Sequence, residues 1–358
     1  MIRVLIVSTT DLGFNGITSV IMNYYRNIDK KKIQFDFVIC EKIHESVSDE
    51  IKKLGGNIYI LPSRKKRLFK YIKSLKSLVK ENNYKVVHVH GNSGTLYFDI
   101  HALKQVGVPV RIAHSHNSTC TYKIIHRLLK KPLSRETTHP IACSKLAGDW
   151  LFTKDYTVLN NGIDIEKFKF NNEVRDKYRR EMDLEDKYVI GHVGNFLYQK
   201  NHEYLLKVFK EVVNRNPKAV LMLVGDGKLE AEIKSLINRL GIQDSVLMLG
   251  KRSDTAELMQ AMDVFVFPSR FEGLPVVLVE AQSAGLKCII SNAITKECQI
   301  TGEVEYLDLS EEIDKWVDKI LMIKSGYQRN IAFEKVRKSK FNIKNETKKL
   351  EEIYISNF

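Results

Sequence analysis

The sequence predicts an α/β protein made of two doubly wound domains, each a parallel sheet covered by helices on both faces. Three observations carry this expectation. Short β-branched runs alternate with amphipathic helical stretches along most of the chain, the pattern of strands buried on both sides. The alternation occurs twice, on either side of a polar stretch at 167–187 rich in Lys, Asp, Glu and Asn. The length of 358 residues suits two domains at roughly 150 residues each.

In the first half, Val4–Ser8 reads as a strand, and a loop at Gly13–Gly16 leads into a helical pattern near Ile17–Tyr25. Gln34–Cys40, Ile58–Leu61, Val86–His90, Val110–Ala113 and Pro140–Cys143 read as further strands, separated by helical stretches such as 64–80 and 95–106. In the second half, strands are expected at Tyr188–Gly194, Ala219–Val224, Ser245–Leu249, Val264–Phe267 and Cys288–Ser291. Helices fall between them at His202–Asn214, Lys228–Leu240, Thr255–Met262 and Pro275–Ala284. The expected division is 1–166 for the first domain, 167–187 for a linker, 188–330 for the second domain and 331–358 for a charged helical tail.

Composition narrows the function. Hydrophobic residues at 44% and charged residues at 28% exclude a disordered or fibrous chain. The best apolar run, Val264–Phe267, stops at Pro268, far short of the ~20 residues a membrane span needs. The opening MIRVLIVSTT lacks a small-residue cleavage site and reads as a first strand, not a signal peptide. Five dispersed cysteines favour free thiols in a reducing cytosol. The net charge of +14 is uneven: residues 1–166 hold 26 Lys and Arg against 14 Asp and Glu, and the remainder 31 against 29. A basic half of this kind meets nucleic acid, an anionic membrane or a phosphorylated substrate. The densest run, Arg64 to Lys80, has eight cations in 17 residues, including Arg64, Lys65, Lys66, Arg67, Lys70 and Lys73, opposite an apolar face of Leu68, Phe69, Ile72, Leu75 and Val79. A second cluster spans Lys123–Arg135. No stacking aromatics alternate with the cations in a recognisable RNA- or DNA-binding module, which favours a membrane surface. GFNG has the wrong spacing for a dinucleotide fingerprint and no GxxxxGK[ST] occurs, which argues against dinucleotide enzymes and P-loop NTPases.

The most informative segment is FPSRFEGLPVVLVEAQSAG, 267–285. A strand ends at Pro268, a loop carries Glu272 and Gly273, and Pro275 suits the first turn of a helix holding Glu280. In doubly wound sheets, ligands bind at the carboxyl ends of strands, where helix N-termini present free N–H groups to anions. Two carboxylates eight residues apart could accept hydrogen bonds from hydroxyls at opposite ends of an extended ligand, with the amides of Gly273 and Leu274 on a phosphate between them. On spacing alone, a capping Glu272 and a solvated Glu280 explain the segment as well. His114 and His116 alternate on a strand, as do His88 and His90; an alternating pair could be half of a metal site, but no carboxylate or Cys is spaced nearby to complete one.

Glu272 and Glu280 match the E-x7-E motif of retaining glycosyltransferases of family 4, and the surrounding PSRFEGLPVVLVEAQSAGLKCIIS is similar to that family almost position by position. HVGNFLYQKN, VLNNGIDIEKF, VLMLVGDG and VLMLGKRSD agree in order and spacing, so that the resemblance covers about residues 1–330. It implies the GT-B fold, two Rossmann-like domains facing a central cleft. It places Glu272 at the donor sugar, Glu280 at the ribose hydroxyls, Lys200 at the donor diphosphate and the backbone at Lys251–Arg252 near the base. Gly194 and Asn195 fall in the diphosphate segment, Gly16 in the glycine loop of the first domain, and His116 at the active-site histidine, with His114 as the alternative alignment. The family usually has Arg where this chain has Asn195, which removes a cation from the diphosphate clamp; either Lys200 and helix N–H groups suffice, or activity is reduced, or another cation such as Arg270 substitutes.

The activity implied is retaining, metal-independent transfer of a sugar from a nucleotide diphosphate sugar, UDP on family frequency, to a hydroxyl of a lipid-linked saccharide during cell-surface polysaccharide synthesis. No cofactor, metal or nucleic acid is expected. The expected location is cytoplasmic, at the inner face of an anionic membrane, and the oligomeric state is left open. Asn195 keeps alive a non-catalytic partner subunit with the same fold, and the donor site would also suit a sugar-nucleotide epimerase or hydrolase.

Overall fold

A computed structural model of the chain describes residues 1–13, 15–117, 119–272, 274–330 and 333–356. Two compact units emerge, one of Met1–Gly162 with Ile343–Phe358, the other of Ile163–Asn342.

The first unit carries a seven-stranded parallel sheet of β1 (Ile2–Ser8), β2 (Ile33–Ile39), β3 (Ile58–Ile60), β4 (Val86–His90), β5 (Val110–Ser115), β6 (His139–Ala142) and β7 (Thr157–Val158). The order is β3-β2-β1-β4-β5-β6-β7. Because side chains alternate along a strand, β1 sends Val4 and Ile6 to one core with Phe35, Phe37 and Tyr354. It sends Leu5 and Val7 to the other, with Tyr71, Leu75, Leu103 and Leu133.

The second unit repeats the plan with six parallel strands: β8 (Tyr188–Val193), β9 (Ala219–Val224), β10 (Val246–Met248), β11 (Val264–Phe267), β12 (Lys287–Ser291) and β13 (Val304–Leu307). Their order is β10-β9-β8-β11-β12-β13. Here too β11 splits by parity, Phe265 and Phe267 packing on one face and Val264 and Val266 on the other. Each sheet runs outward in both directions from a central pair, β1 and β4 in the first unit and β8 and β11 in the second. These are the topological switch points, where a crevice opens at the carboxyl edge.

The division of the chain differs from the sequence expectation. The stretch 167–187 is not a loose linker throughout: Asn172–Glu181 is a helix capped by the Asn171 side chain, which accepts from the N–H of Glu173 and Val174. It is docked by arginines and hardly by apolar residues, which is why hydrophobic periodicity does not reveal it. Arg175 reaches Asp263 at 2.6 Å and Arg179 reaches it at 3.2 Å. The tail 331–358 is shared between units. Phe333, Val336 and Phe341 enter the core of the second, whereas the helix Ile343–Ile355 sends Ile343, Leu350 and Tyr354 into the first. Glu346, fully buried, accepts from the Asn160 backbone at 2.6 Å. Among the described residues no helix is long and apolar enough to cross a membrane.

Candidate functional site

The candidate site grows out of the switch point of the second sheet. After β8 the chain passes Gly194 and Asn195, makes one turn at Tyr198–Lys200 and enters the helix His202–Arg215. After β11 it passes Ser269–Glu272 and Leu274 before the helix Val276–Ser283. Two contacts lock these loops together: the Arg270 N–H donates to the Gln199 carbonyl at 2.8 Å, and the Arg270 guanidinium donates to the Tyr198 carbonyl at 2.8 Å while lying over that tyrosine's ring.

Lys200 and Glu272, 72 residues apart, meet in this frame: Nζ donates to Oε1 at 2.7 Å. The Gln199 amide donates to the other carboxylate oxygen at 2.9 Å. Only 16% of the lysine side chain and 7% of the glutamate side chain are exposed, and the ammonium also lies 4.6 Å from the centre of the Phe267 ring. The lysine stem runs past Gly194, where a Cβ would stand 3.2 Å from its Cδ and Cε. Gly225 and Gly227, whose φ angles of 142° and 156° suit glycine, bring the loop after β9 against Gly194–Phe196 in the loop after β8; a Cβ at Gly225 would fall 2.2 Å from the Gly194 carbonyl oxygen. The sequence reading assigned no role to these two glycines, although the VGDG segment was visible.

Glu280 lies on the helix Val276–Ser283, half-buried and without a hydrogen-bond partner among the described residues. Burial pushes its carboxyl up to about 7, with Lys167 pulling the other way. Leu274 packs partly buried on the core, and Gly273 lies outside the described residues. Asn195 is exposed. Arg270 is committed to Tyr198, so the structure gives no sign that it replaces the cation missing at position 195. Lys251 and Arg252 are exposed, and the Arg252 guanidinium is paired with Asp254 at 2.6 Å. Two histidines beside Lys200 were not foreseen. His192 and His202 are buried and their rings meet edge to face at 4.7 Å. Burial holds both imidazoles below their usual range, His202 at about 4.

In the first unit, His88, His90, His114 and His116 point to one face at the ends of β4 and β5 and stack in pairs, with ring centres 4.0 Å apart for His88–His90 and 4.1 Å for His114–His116. His88 bonds Tyr354 Oη at 2.7 Å and His114 at 3.2 Å, and His90 bonds His116 at 2.9 Å. Burial keeps all four neutral, His116 at about 3. The ring nitrogens of His88, His90 and His114 gather within 4.8 Å. An imidazole lone pair lies in the ring plane, however, so rings stacked face to face do not aim at one ion. Gly16 opens the helix Gly16–Asn27, and a Cβ there would touch nothing within 4 Å, so packing does not demand glycine at this position. The expected basic patch differs at two residues. Phe69, expected on the apolar face opposite the cations, is itself exposed. Arg64 is not a surface cation: it pairs with the fully buried Asp99 at 2.7 Å and donates to the Thr95 carbonyl at 2.6 Å. Lys65, Lys66, Arg67, Lys70 and Lys73 are exposed.

The chain belongs to the glycosyltransferases, and its two doubly wound units are of the GT-B type. Residues 174–336 match the family model described as glycosyl transferases group 1, and residues 14–167 match glycosyltransferase family 4. Among its relatives is EpsF of Bacillus subtilis, described as a putative glycosyltransferase, 36% identical over 85% of this chain and 83% of that protein. Another is the UDP-Gal:alpha-D-GlcNAc-diphosphoundecaprenol alpha-1,3-galactosyltransferase of Escherichia coli, 28% identical over 90% of this chain and 89% of that one. Of the solved structures, Anabaena HepE in complex with UDP-glucose superimposes with a TM-score of 0.78 over 99% of this chain and all of that one, at 16% identity.

Proposed function

We propose that the protein moves a sugar from a UDP-sugar to a hydroxyl of a lipid-linked saccharide, with retention at the anomeric carbon, in the assembly of a cell-surface polysaccharide. The observation that carries this reading is the Lys200–Glu272 pair at the switch point of the second sheet. A cation held there by a carboxylate is aimed before any ligand arrives, so little reorganisation is needed when a diphosphate takes up the ammonium's remaining hydrogen bonds. As the bond from the anomeric carbon to the diphosphate oxygen breaks, its electron pair stays on the diphosphate, where Lys200 absorbs the charge. The acceptor oxygen bonds to the same carbon from the same face and passes its proton to the departing diphosphate. Fixed cations and backbone N–H groups stand in this account where a metal stands in others.

Glu272 lies beside the sugar and Glu280 takes the ribose hydroxyls. Leu274 contributes at the phosphate end with Gly273, and the Lys251–Arg252 backbone borders the base. Gly16, which opens the helix after β1, serves the donor phosphate, and His116, just after β5, serves the sugar and the acceptor. UDP is favoured by the HepE complex and by the name of the Escherichia coli relative, whose acceptor is a diphosphoundecaprenol saccharide. The relative CapH of Staphylococcus aureus, named for capsular polysaccharide biosynthesis, points to the same kind of product. Titrating the protein with UDP, GDP and ADP tests the donor; the reading expects UDP to bind at least tenfold tighter, and indifference among the three rejects it.

A further inference from the structure

The helix Lys123–Glu136 is fixed to the first unit along one side and bare along the other. His126 is its anchor: buried, its Nδ1 accepts from the Gly94 N–H at 3.0 Å and its ring stacks on Trp150 at 4.3 Å. Leu133 and Ser134 are buried about two turns later. On the outward side, Ile124 is 78% exposed, Leu128 71% and the preceding Tyr122 65%, with Ile125 partly exposed as well. Lys123, Arg127, Lys131 and Arg135 border these side chains, all exposed, and the first turn holds no acid. Apolar side chains of this size standing in water beside cations fit the boundary between lipid headgroups and acyl chains.

A second element reaches the same place. The helix Leu68–Glu81 also begins at the carboxyl edge of the first sheet, with Phe69 92% exposed after Lys65, Lys66 and Arg67. Both helix starts are tied to the single turn Gly94–Leu96, one by Arg64 donating to the Thr95 carbonyl and the other by the Gly94 N–H on His126. Their bare apolar residues therefore flank one turn at one edge of the unit.

We infer that Tyr122, Ile124, Ile125 and Leu128, together with Phe69, insert into the interface of an anionic bilayer, with Lys65, Lys66, Arg67, Lys123 and Arg127 on the headgroups. Charge decides the occupant. A second copy of the chain would bring like cations together with no acid in the patch to offset them, whereas anionic headgroups neutralise them. The surface rests on the reading of a membrane-held acceptor for its purpose, and on geometry alone for its existence.

The experiment uses the full chain with vesicles of phosphatidylglycerol and of phosphatidylcholine. The indole introduced by Leu128→Trp should shift to shorter emission wavelength with phosphatidylglycerol vesicles and be quenched by brominated acyl chains. Ile124→Ser with Leu128→Ser should lower vesicle partitioning about a hundredfold and leave transfer to a water-soluble acceptor analogue unchanged. Lys123→Gln with Arg127→Gln should weaken binding and flatten its salt dependence. Wild-type partitioning by the double serine variant, an unshifted indole on protein bound to vesicles, or a lipid-free dimer that the serine variant dissolves would each overturn the inference. Absence of any sugar transfer by the wild type would reject the proposed function and leave the docking surface standing.

Discussion

Glu280 gives the candidate site a pH dependence that can be calculated. Its carboxyl is raised to about 7 by burial, and the proposed role needs the ionised form, because a carboxylate accepts hydrogen bonds from two ribose hydroxyls and a carboxylic acid must donate one. With that value, about one molecule in eleven carries the charge at pH 6 and about ten in eleven at pH 8, so affinity for a UDP-sugar should rise about tenfold across the interval. The esterified diphosphate of the donor does not titrate in this range. His202, beside Lys200 and held at about 4, is neutral throughout. Calorimetric titration at pH 6, 7 and 8 and constant ionic strength reads the slope, and Glu280→Gln should bind more weakly and without it. The ligand-free protein should show the opposite trend. A carboxyl raised by folding contributes stability below its unfolded value that is lost as pH climbs through 7, because the folded state holds the proton longer. A flat wild-type profile, or a slope that survives Glu280→Gln, would refute the placement of this residue at the ribose.

Two further outcomes follow from the geometry. Arg64→Ser leaves the fully buried Asp99 without its cation and should cost about 3 kcal/mol of stability, read by urea unfolding; Lys66→Ser, at an exposed position, should change stability by less than about 0.5 kcal/mol. Asn195→Arg restores the charge usual in the family and should tighten UDP binding up to about tenfold through a charge-assisted hydrogen bond; unchanged affinity would show that position 195 does not face the diphosphate.

Much of the fold is legible in the sequence because strands buried on both faces are written as short apolar runs. Val86–His90, Ala219–Val224 and Val264–Phe267 are read to the residue. Two of the misses share a cause, a stabilising partner far away in the chain. The helix Asn172–Glu181 looks like linker because Asp263, which holds its arginines, is more than eighty residues distant. Arg64 reads as surface charge because Asp99 lies 35 residues on. β13 escapes because its alternate residues are not all apolar and it sits at the edge of its sheet. The same limit governs the site. Residue types and spacing single out Lys200, Glu272 and Glu280, and the family resemblance gives them roles. That Lys200 and Glu272 touch, that Gly225 and Gly227 pack against the loop after β8, and that four histidines stack all depend on the order of strands in the sheets, which no local pattern encodes.

The central claim is that sugar transfer is driven from the switch point of the second sheet, and the most direct measurement is turnover of a UDP-sugar with a lipid-linked acceptor by the wild type and by Lys200→Ala, with circular dichroism to confirm that both are folded. The account predicts a glycosylated product of retained anomeric configuration from the wild type. Removing the cation from the leaving group should lower kcat about 10²–10³-fold. Wild-type turnover by a folded Lys200→Ala protein would contradict it.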